Sequence, residues 1–425
     1  MSSDTEIAAE QGPAIEGQEG LGTGPLDARP YFEPGYHELE KERIFSKSWL
    51  LVGRIEEIPP RKGFIVREIE VLKASIILVR DDGGATVRGF YNQCKHRLNK
   101  LVWEERGSGG AFVCNYHGWT YDRQGELRNM IDEEGFHGLD RKACALTPVH
   151  VDTWNGFIFV NLDPNPEQGL MDFLEEIPRL TEGYDFERLS AAVHSEVPLA
   201  TNWKNLNDGN AEAYHAIWLH RAGLGSPYAK IDIPENPSNK AAAIRMWKRH
   251  RMNSVARIET RPIRAPEMFG LMAQSTKLLP SGGSLHHTDL PPPAGCDPFD
   301  VDDWVFDIYF IWPNMLLMMA RDHYHTYIFW PVDVNTSKVR ITMYYPQPKS
   351  AGELFARETF LQHNRYIVSE DFRVSEETQR SLDSGVGKEM WLHDSEVLLR
   401  FFHKVYQDQI GIGIDRMEHN KEHAV

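Results

Sequence analysis

Between residues 45 and 165 the apolar positions come in short runs: GFIVREIE, ASIILVR and VRGFYNQC, then GAFVCNYHGWTYD and WNGFIFVNLD. Runs this brief, rich in Ile, Val and Phe and broken by turn-forming stretches such as Asp81-Asp82-Gly83-Gly84, predict strands. A small all-β domain over 45–165 is therefore expected. Upstream, PGYHELEKERIFSKSWLLVG predicts a short amphipathic helix with Pro34 near its start, running into the first strand. This helical lead-in occupies 29–44. Residues 1–28 carry Gly, Glu, Ser and Ala with almost no large apolar side chain, so ordering them costs backbone entropy that burial does not offset; a disordered tail is expected.

After residue 165 the pattern changes. Over 164–208 helical periodicity, as in MDFLEEIPRLTEGY, alternates with turns, and NLNDGNAEAYHAIWLH predicts a helix bearing polar groups. Residues 223–300, rich in Pro, Gly and His, predict long loops. VFDIYFIW, HTYIFWPV and KVRITMYYP predict strands, and 353–379 and 389–406 predict helices. The second domain, 166–425, is thus α+β, an antiparallel sheet flanked by helices.

Charge narrows the function. With 46 basic against 62 acidic residues the net charge is −16, which disfavours nucleic acid or an anionic membrane surface as partner. The most apolar stretch, 304–320, is broken by Asp307 and Pro313-Asn314 and falls short of the ~18 residues of a membrane span. No secretory signal pattern opens the chain, so a cytoplasmic protein is expected. Four cysteines in 425 residues are no disulfide scaffold; clustered thiols in a reducing compartment bind metal or do chemistry.

Two thiols are clustered. Cys94-Lys95-His96 and Cys114-Asn115-Tyr116-His117 form C-x-H and C-x2-H pairs separated by residues 97–113. Close spacing within each pair lets one tight loop present both side chains. Two thiolates and two imidazoles suit tetrahedral zinc, or a [2Fe–2S] cluster with two Cys on one iron and two His on the other. Each loop begins with Cys and ends with His, and Gly118-Trp119-Thr120-Tyr121-Asp122 follows the second. In this, CKHR and CNYHGWTYD resemble the two loops of the Rieske iron–sulfur domain. Rieske proteins of respiratory complexes add a cysteine to each loop, where this chain has Asn99 and Tyr116, so the oxygenase branch is the better match. That branch usually has Gly after His-Arg; here Leu98 stands there, which bears on the amides that tune the cluster potential. Cys144 and Cys296 read as ordinary thiols.

In NWKNLNDGNAEAYHAIWLH, His215 and His220 are about 140° apart on a straight helix, so one ion takes both only if His220 sits where the helix ends or bends. The segment resembles the mononuclear-iron motif of Rieske non-heme iron oxygenase α subunits: Asn-Trp-Lys, an acidic residue, then acid-x2-His-x4-His. The matching residues are Asn202-Trp203-Lys204, Asp208, Glu212, His215 and His220. A non-heme iron triad adds one carboxylate and leaves positions open for oxygen. The resemblance places that carboxylate in SEDFRVSEETQ, at Asp371, with Glu370 and Glu376 as competitors.

The resemblance extends over about 31–406 and implies a Rieske domain at 45–165, a catalytic domain at 166–425 on which the 29–44 lead-in packs, a [2Fe–2S] cluster held by Cys94, His96, Cys114 and His117, and a mononuclear Fe(II) held by His215, His220 and Asp371. It also implies a homotrimer or α3β3 assembly in which the two metals meet across a subunit interface. Position assigns the bridging acid to Glu212, facing His117 of the neighbouring copy, with Asp208 as the next candidate. Many ring-hydroxylating members carry Asp there; some demethylases of quaternary amines carry Glu.

The activity implied is that of a terminal oxygenase. Neither a dinucleotide fingerprint nor a flavin motif is present, so electrons are expected from an NAD(P)H-dependent reductase, directly or through a ferredoxin. The substrate expected first is an aromatic or hydrophobic ring, hydroxylated or dihydroxylated as in aromatic hydrocarbon catabolism. Oxidative demethylation or hydroxylation of an amine or quaternary ammonium compound is the alternative, and a Rieske electron-transfer protein is the non-enzymatic one. Phe306, Tyr309, Phe310, Trp312 and Met315 are candidate pocket or core residues. Lys95, Arg97, Lys100, Arg106 and Arg123 gather around the cluster loops as a candidate docking patch for the electron donor.

Overall fold

Turn residues cut the first half of the chain into short strands, and those between residues 50 and 161 pair antiparallel into two sheets. The computed structural model describes residues 14–16, 20–81, 83–84, 86–212, 214–220, 241–256, 291–302 and 304–411. Two short strands, β1 (Ala14–Glu16) and β2 (Leu26–Asp27), precede β3 (Leu50–Arg54), β4 (Gly63–Ile69), β5 (Ala74–Arg80), β6 (Val87–Tyr91) and β7 (Arg106–Ser108). They are followed by β8 (Ala111–Val113), β9 (Thr120–Asp122), β10 (Leu127–Asn129), β11 (Pro148–Trp154) and β12 (Phe157–Asn161). A seven-stranded sheet has the order β3-β12-β11-β6-β5-β4-β7, and a three-stranded one the order β10-β9-β8. Side chains of β4 and β5 alternate between two cores: Ile65, Ile69, Ile76 and Leu78 enter the main one, Phe64, Val66, Ile77 and Val79 a smaller one around Cys94 and Cys114. Burial on both faces explains why these runs are nearly continuous in hydrophobicity.

A third sheet comes from the rest of the chain: β13 (Ala191–Leu199), β14 (Ala241–Met246), β15 (Arg251–Ala256), β16 (Trp304–Ile311), β17 (Met315–Ala320), β18 (Tyr324–Asp333) and β19 (Thr336–Tyr345). With β1 it forms eight strands in the order β1-β14-β15-β16-β17-β18-β19-β13. Register puts Arg251, Phe310, Leu316, Tyr327 and Ile341 in one cross-strand row. Phe310 lies under the Arg251 guanidinium and Trp312 packs on Phe402, so both serve the core.

Several expectations are corrected. Ala14–Glu16 pairs in parallel with β14, and β2 pairs with β20 (Glu389–Met390), so parts of the 1–28 segment expected to be disordered are strands; residues 1–13 and 17–19 lie outside the described residues. Residues 241–256, expected as loop, form the β14–β15 hairpin. Their apolar pattern is weak because Arg251 and His250 are themselves buried, through partners distant in sequence. β13 was hidden among helical signals because it is an edge strand, paired only with β19, that buries only its ends. The helix expected at 389–406 begins at Val397 and runs to Ile410.

Three elements meet at one buried ion pair. Lys204 Nζ reaches Glu40 at 2.5 Å with both side chains almost fully buried, and Trp203 Nε1 and the Tyr406 hydroxyl also donate to the Glu40 carboxylate. Helix Pro34–Glu40, helix Trp203–Asn210 and helix Val397–Ile410 are thereby fixed together. A buried charge stripped of its partner costs several kcal/mol, so these contacts set the position of the segment that leads to His215.

Candidate metal centres

The two cysteine loops are built alike. In the first, the Cys94 amide donates to Asn99 O and the Leu98 amide returns to Cys94 O; in the second, the Cys114 amide donates to Trp119 O and the Gly118 amide returns to Cys114 O. Cys94 and Cys114 are buried, whereas His96 and His117 stand at partly exposed positions with their Nδ1 atoms 3.1 Å apart. Burial pushes the Cys94 thiol up. It acts on Cys114 too, but the amides of Tyr116 and His117, with Cys94 and Asn99, outweigh it and hold that thiol below its ordinary value. The Tyr121 hydroxyl lies 3.5 Å from Cys94 Sγ and accepts from the Lys95 amide. A sulfur pair inside and a nitrogen pair outside fit a [2Fe–2S] cluster with one all-Cys and one all-His iron.

The second group forms where a helix fails. Asn202 caps helix Trp203–Asn210 by accepting from the Lys204 amide, and the helix stops before Glu212. His215 then takes the N-cap position of the four-residue helix Ala216–Leu219, with its side chain free of any capping bond, and His220 ends it with φ −89° and ψ 14°. The break turns the two rings to face each other, Nε2 to Nε2 at 3.2 Å. The long helix Ala351–Leu382, capped by Ser350, delivers Asp371 Oδ1 to 3.1 Å from His220 Nε2 and 3.6 Å from His215 Nε2. One ligand atom from each of the three residues lies within 4.8 Å of the others. Burial alone would depress His220, but its hydrogen bonds to Asp371 and Glu370 raise it. Two imidazoles and one carboxylate fit a mononuclear non-heme iron.

Each remaining candidate has a definite place. Glu212 contacts His215 Nδ1 and accepts from the His215 amide at 2.9 Å. Asp208 Oδ2 is committed to the Tyr31 hydroxyl and His403 Nε2, while its Oδ1 is buried without a partner. Glu376 accepts from the Ala200 amide. Glu370 meets His220 Nδ1 at 3.0 Å, a contact that sequence spacing does not signal because 150 residues separate the two. Of the basic residues, Arg123 is buried and donates to the carbonyls of Lys62, Gly109 and Arg80, so it leaves the surface patch. Lys100 pairs with Glu68, and Arg97 donates to the Tyr116 hydroxyl.

Comparison with known proteins finds two families. Residues 186–412 match the family described as ring hydroxylating alpha subunit (catalytic domain), and residues 48–137 match the Rieske [2Fe-2S] domain. The chain is 32% identical over 211 residues to the glycine betaine monooxygenase oxygenase subunit of Pseudomonas aeruginosa, covering 50% of this chain and 48% of that one. It is 37% identical over 142 residues to the biphenyl 2,3-dioxygenase α subunit of Rhodococcus jostii, covering 33% and 30%. The match thus spans about half the length of the first relative and less of the second. A crystal structure of a quaternary ammonium Rieske monooxygenase shares the fold with a TM-score of 0.70 at 20% identity, covering 92% of this chain and 97% of that one.

Proposed function

The chain belongs to the family of ring-hydroxylating α subunits, and from that premise we propose that it is a terminal oxygenase, with a Rieske domain near 45–165 and a catalytic domain near 166–425. The observation that carries this reading is the convergence of His215 Nε2, His220 Nε2 and Asp371 Oδ1 beside a carboxylate, Glu212, that holds the far edge of His215. In this reading Cys94, His96, Cys114 and His117 hold the [2Fe–2S] cluster, and His215, His220 and Asp371 hold the iron. The ferrous ion, when bound, supplies the place where dioxygen is reduced. The balance for hydroxylation is one substrate C–H, one O2, two electrons and two protons giving one C–OH and one water. The electrons come from NAD(P)H through a partner reductase, directly or by way of a ferredoxin. An electron-transfer protein would have no use for the second donor set.

We place the electron path between copies of the chain, from the cluster of one through His117 to Glu212 and His215 of the next, in a trimer with or without a β subunit. Exposed Leu98, Tyr116 and Ile131 on the cluster domain, and Tyr214 and Trp218 beside Glu212, are the apolar surface such contacts would cover. No helix among the described residues is long and apolar enough to cross a membrane, and the cytoplasm is the setting that supplies a reductase and keeps the thiols reduced.

For the substrate we put a quaternary ammonium or amine compound ahead of an aromatic ring. Glu212 favours it, as does the similarity to a glycine betaine enzyme. The similarity to a biphenyl dioxygenase subunit supports the ring substrate of aromatic catabolism as the second reading. The test is oxygen consumption with a competent reductase, using glycine betaine, carnitine and biphenyl as probes. Formaldehyde from a methylammonium probe establishes the first reading, a diol from biphenyl the second, and no oxygen uptake with any substrate defeats both.

A further inference from the structure

Both histidines of the proposed iron centre have a carboxylate behind them, and the two carboxylates come from different parts of the chain. Glu212 meets His215 Nδ1 from three residues upstream. Glu370, on helix Ala351–Leu382, meets His220 Nδ1 at 3.0 Å. Because its neighbour Asp371 meets Nε2 of the same ring at 3.1 Å, two consecutive residues address opposite edges of one imidazole. The two nitrogens of an imidazole point away from each other, so a group on Nδ1 does not share an ion held at Nε2. That geometry removes Glu370 from the competition for the ligand position and gives it another task.

An imidazole offers a lone pair at one nitrogen only while the other carries the proton, and a carboxylate accepting from that N–H fixes both the tautomer and the plane of the ring. His220 needs such support more than His215 does. It sits at the end of a four-residue helix, and its side chain is only 5% exposed. Glu370 stands on the longest helix among the described residues and lines a groove of about 520 Å³ with Leu219, Arg373 and Glu377.

We propose that Glu370 is the positioning residue of the mononuclear centre: it accepts the Nδ1–H of His220 and presents Nε2 to the ion without ligating it. This rests on the reading of His215, His220 and Asp371 as iron ligands. It also divides two similar contacts by role, Glu212 lying behind the histidine that we place toward the neighbouring copy and Glu370 behind the buried one.

The test measures metal binding, not turnover. Cluster-loaded protein is stripped of mononuclear iron by mild chelation; Fe(II) is titrated back without oxygen, and Co(II) in parallel is followed by its d–d absorption. Glu370→Gln keeps an acceptor oxygen but loses the charge, and is expected to bind Fe(II) about 10-fold more weakly; Glu370→Ala loses about 100-fold. In both, the Co(II) bands shift while the cluster spectrum and the thermal unfolding of the stripped protein stay unchanged, and Glu370→Asp recovers part of the affinity. Glu377→Gln, on the same groove, binds as wild type. Wild-type affinity and Co(II) bands in Glu370→Gln and Glu370→Ala overturn the assignment, and if Glu370→Ala fails to fold, the nearly isosteric Glu370→Gln decides alone. A wild-type protein that takes up no Fe(II), or a His220→Ala variant that binds it undiminished, overturns the iron reading itself and the role of Glu370 with it.

Discussion

Leu98 stands in the first cysteine loop where Gly118 stands in the second. Each amide returns to the carbonyl of its loop's cysteine at 2.9 Å, and each backbone is left-handed, with φ 61° at Leu98 and 70° at Gly118. A Cβ in that conformation costs about 1–2 kcal/mol, which glycine avoids. Leu98 accepts the cost with its side chain 62% exposed, at the tip where we place the contact between copies.

Exchanging the two residues' characters should therefore have opposite effects. Gly118→Ala is expected to destabilise the cluster-loaded protein by about 1–2 kcal/mol, since its Cβ also meets Ile131 Cδ1 at 3.3 Å. Leu98→Gly is expected to gain roughly 0.5–1 kcal/mol, the relieved strain less the entropy glycine brings to the unfolded chain. Thermal unfolding of the two variants checks the sign. A Leu98→Gly variant less stable than wild type would mean that the exposed leucine is held by packing.

The two proposed metal sites have separate donors, so they should be lost separately. Cys94→Ser or Cys114→Ser should bleach the visible absorption of the cluster, because a thiolate ligand is replaced by a much weaker one. Asp371→Ala or His215→Ala should remove one iron per chain and leave that absorption in place. Iron analysis and the visible spectrum of each variant suffice; a colourless wild-type protein holding stoichiometric zinc would contradict the cluster reading outright.

These centres were legible in the sequence to different depths. The cysteine loops could be read because a tight loop needs its ligands close together, and CKHR and CNYHGWTYD keep all four within two short segments. The spacing of His215 and His220 demanded a helix end, and His220 lies at one. Asp208 shows the limit. Four residues before Glu212, it looked like a partner in the same chemistry, but its neighbours Tyr31 and His403 lie 177 and 195 residues away, and only tertiary packing brings them in. Glu370 was visible as a carboxylate beside Asp371, but no local pattern tells which edge of a distant imidazole it will meet.

Stability should fall in acid, and one histidine accounts for a readable share. His250 is fully buried; its Nε2–H donates to Phe173 O at 2.6 Å and its Nδ1 accepts from the Trp312 amide. Burial above all, with Arg249 and Arg251 nearby, brings its pKa down to about 3. The folded value lies below the ordinary 6.5, so the unfolded chain takes up the proton first. The contribution is complete above pH 6.5 and is lost as the pH falls toward 3, at about 1.4 kcal/mol per unit and up to roughly 5 kcal/mol in all. Urea unfolding between pH 7 and pH 4 should show this slope, and His250→Gln should flatten it while lowering stability at pH 7. An unchanged slope in the variant would assign the acid loss to other buried groups, His325 first among them.

Glu212 tests the path between copies. Its carboxylate holds His215 Nδ1 and accepts from the His215 amide, so in the proposed centre it orients a ligand without being one. A hydrogen-bonded carboxylate shared between His215 and a cluster histidine of the next copy would also give the electron a short, connected route. Glu212→Gln should then keep the iron, the reducible cluster and the assembly, and yet pass electrons slowly. Glu212→Asp should recover part of the rate, because its side chain is shorter by about one C–C bond. The decisive measurement is a single turnover: pre-reduced protein is mixed with oxygen and whichever probe substrate proves active, and oxidation of the cluster is followed by absorbance. Removing a connecting hydrogen bond should slow that phase at least 10-fold while the rate of cluster reduction by the donor stays the same. If Glu212→Gln oxidises its cluster as fast as wild type, the electron crosses elsewhere. Asp208 would then be a poor substitute, since its Oδ2 is already held by Tyr31 and His403 and its Oδ1 is buried, and the search should move to groups on the surface around Tyr214 and Trp218.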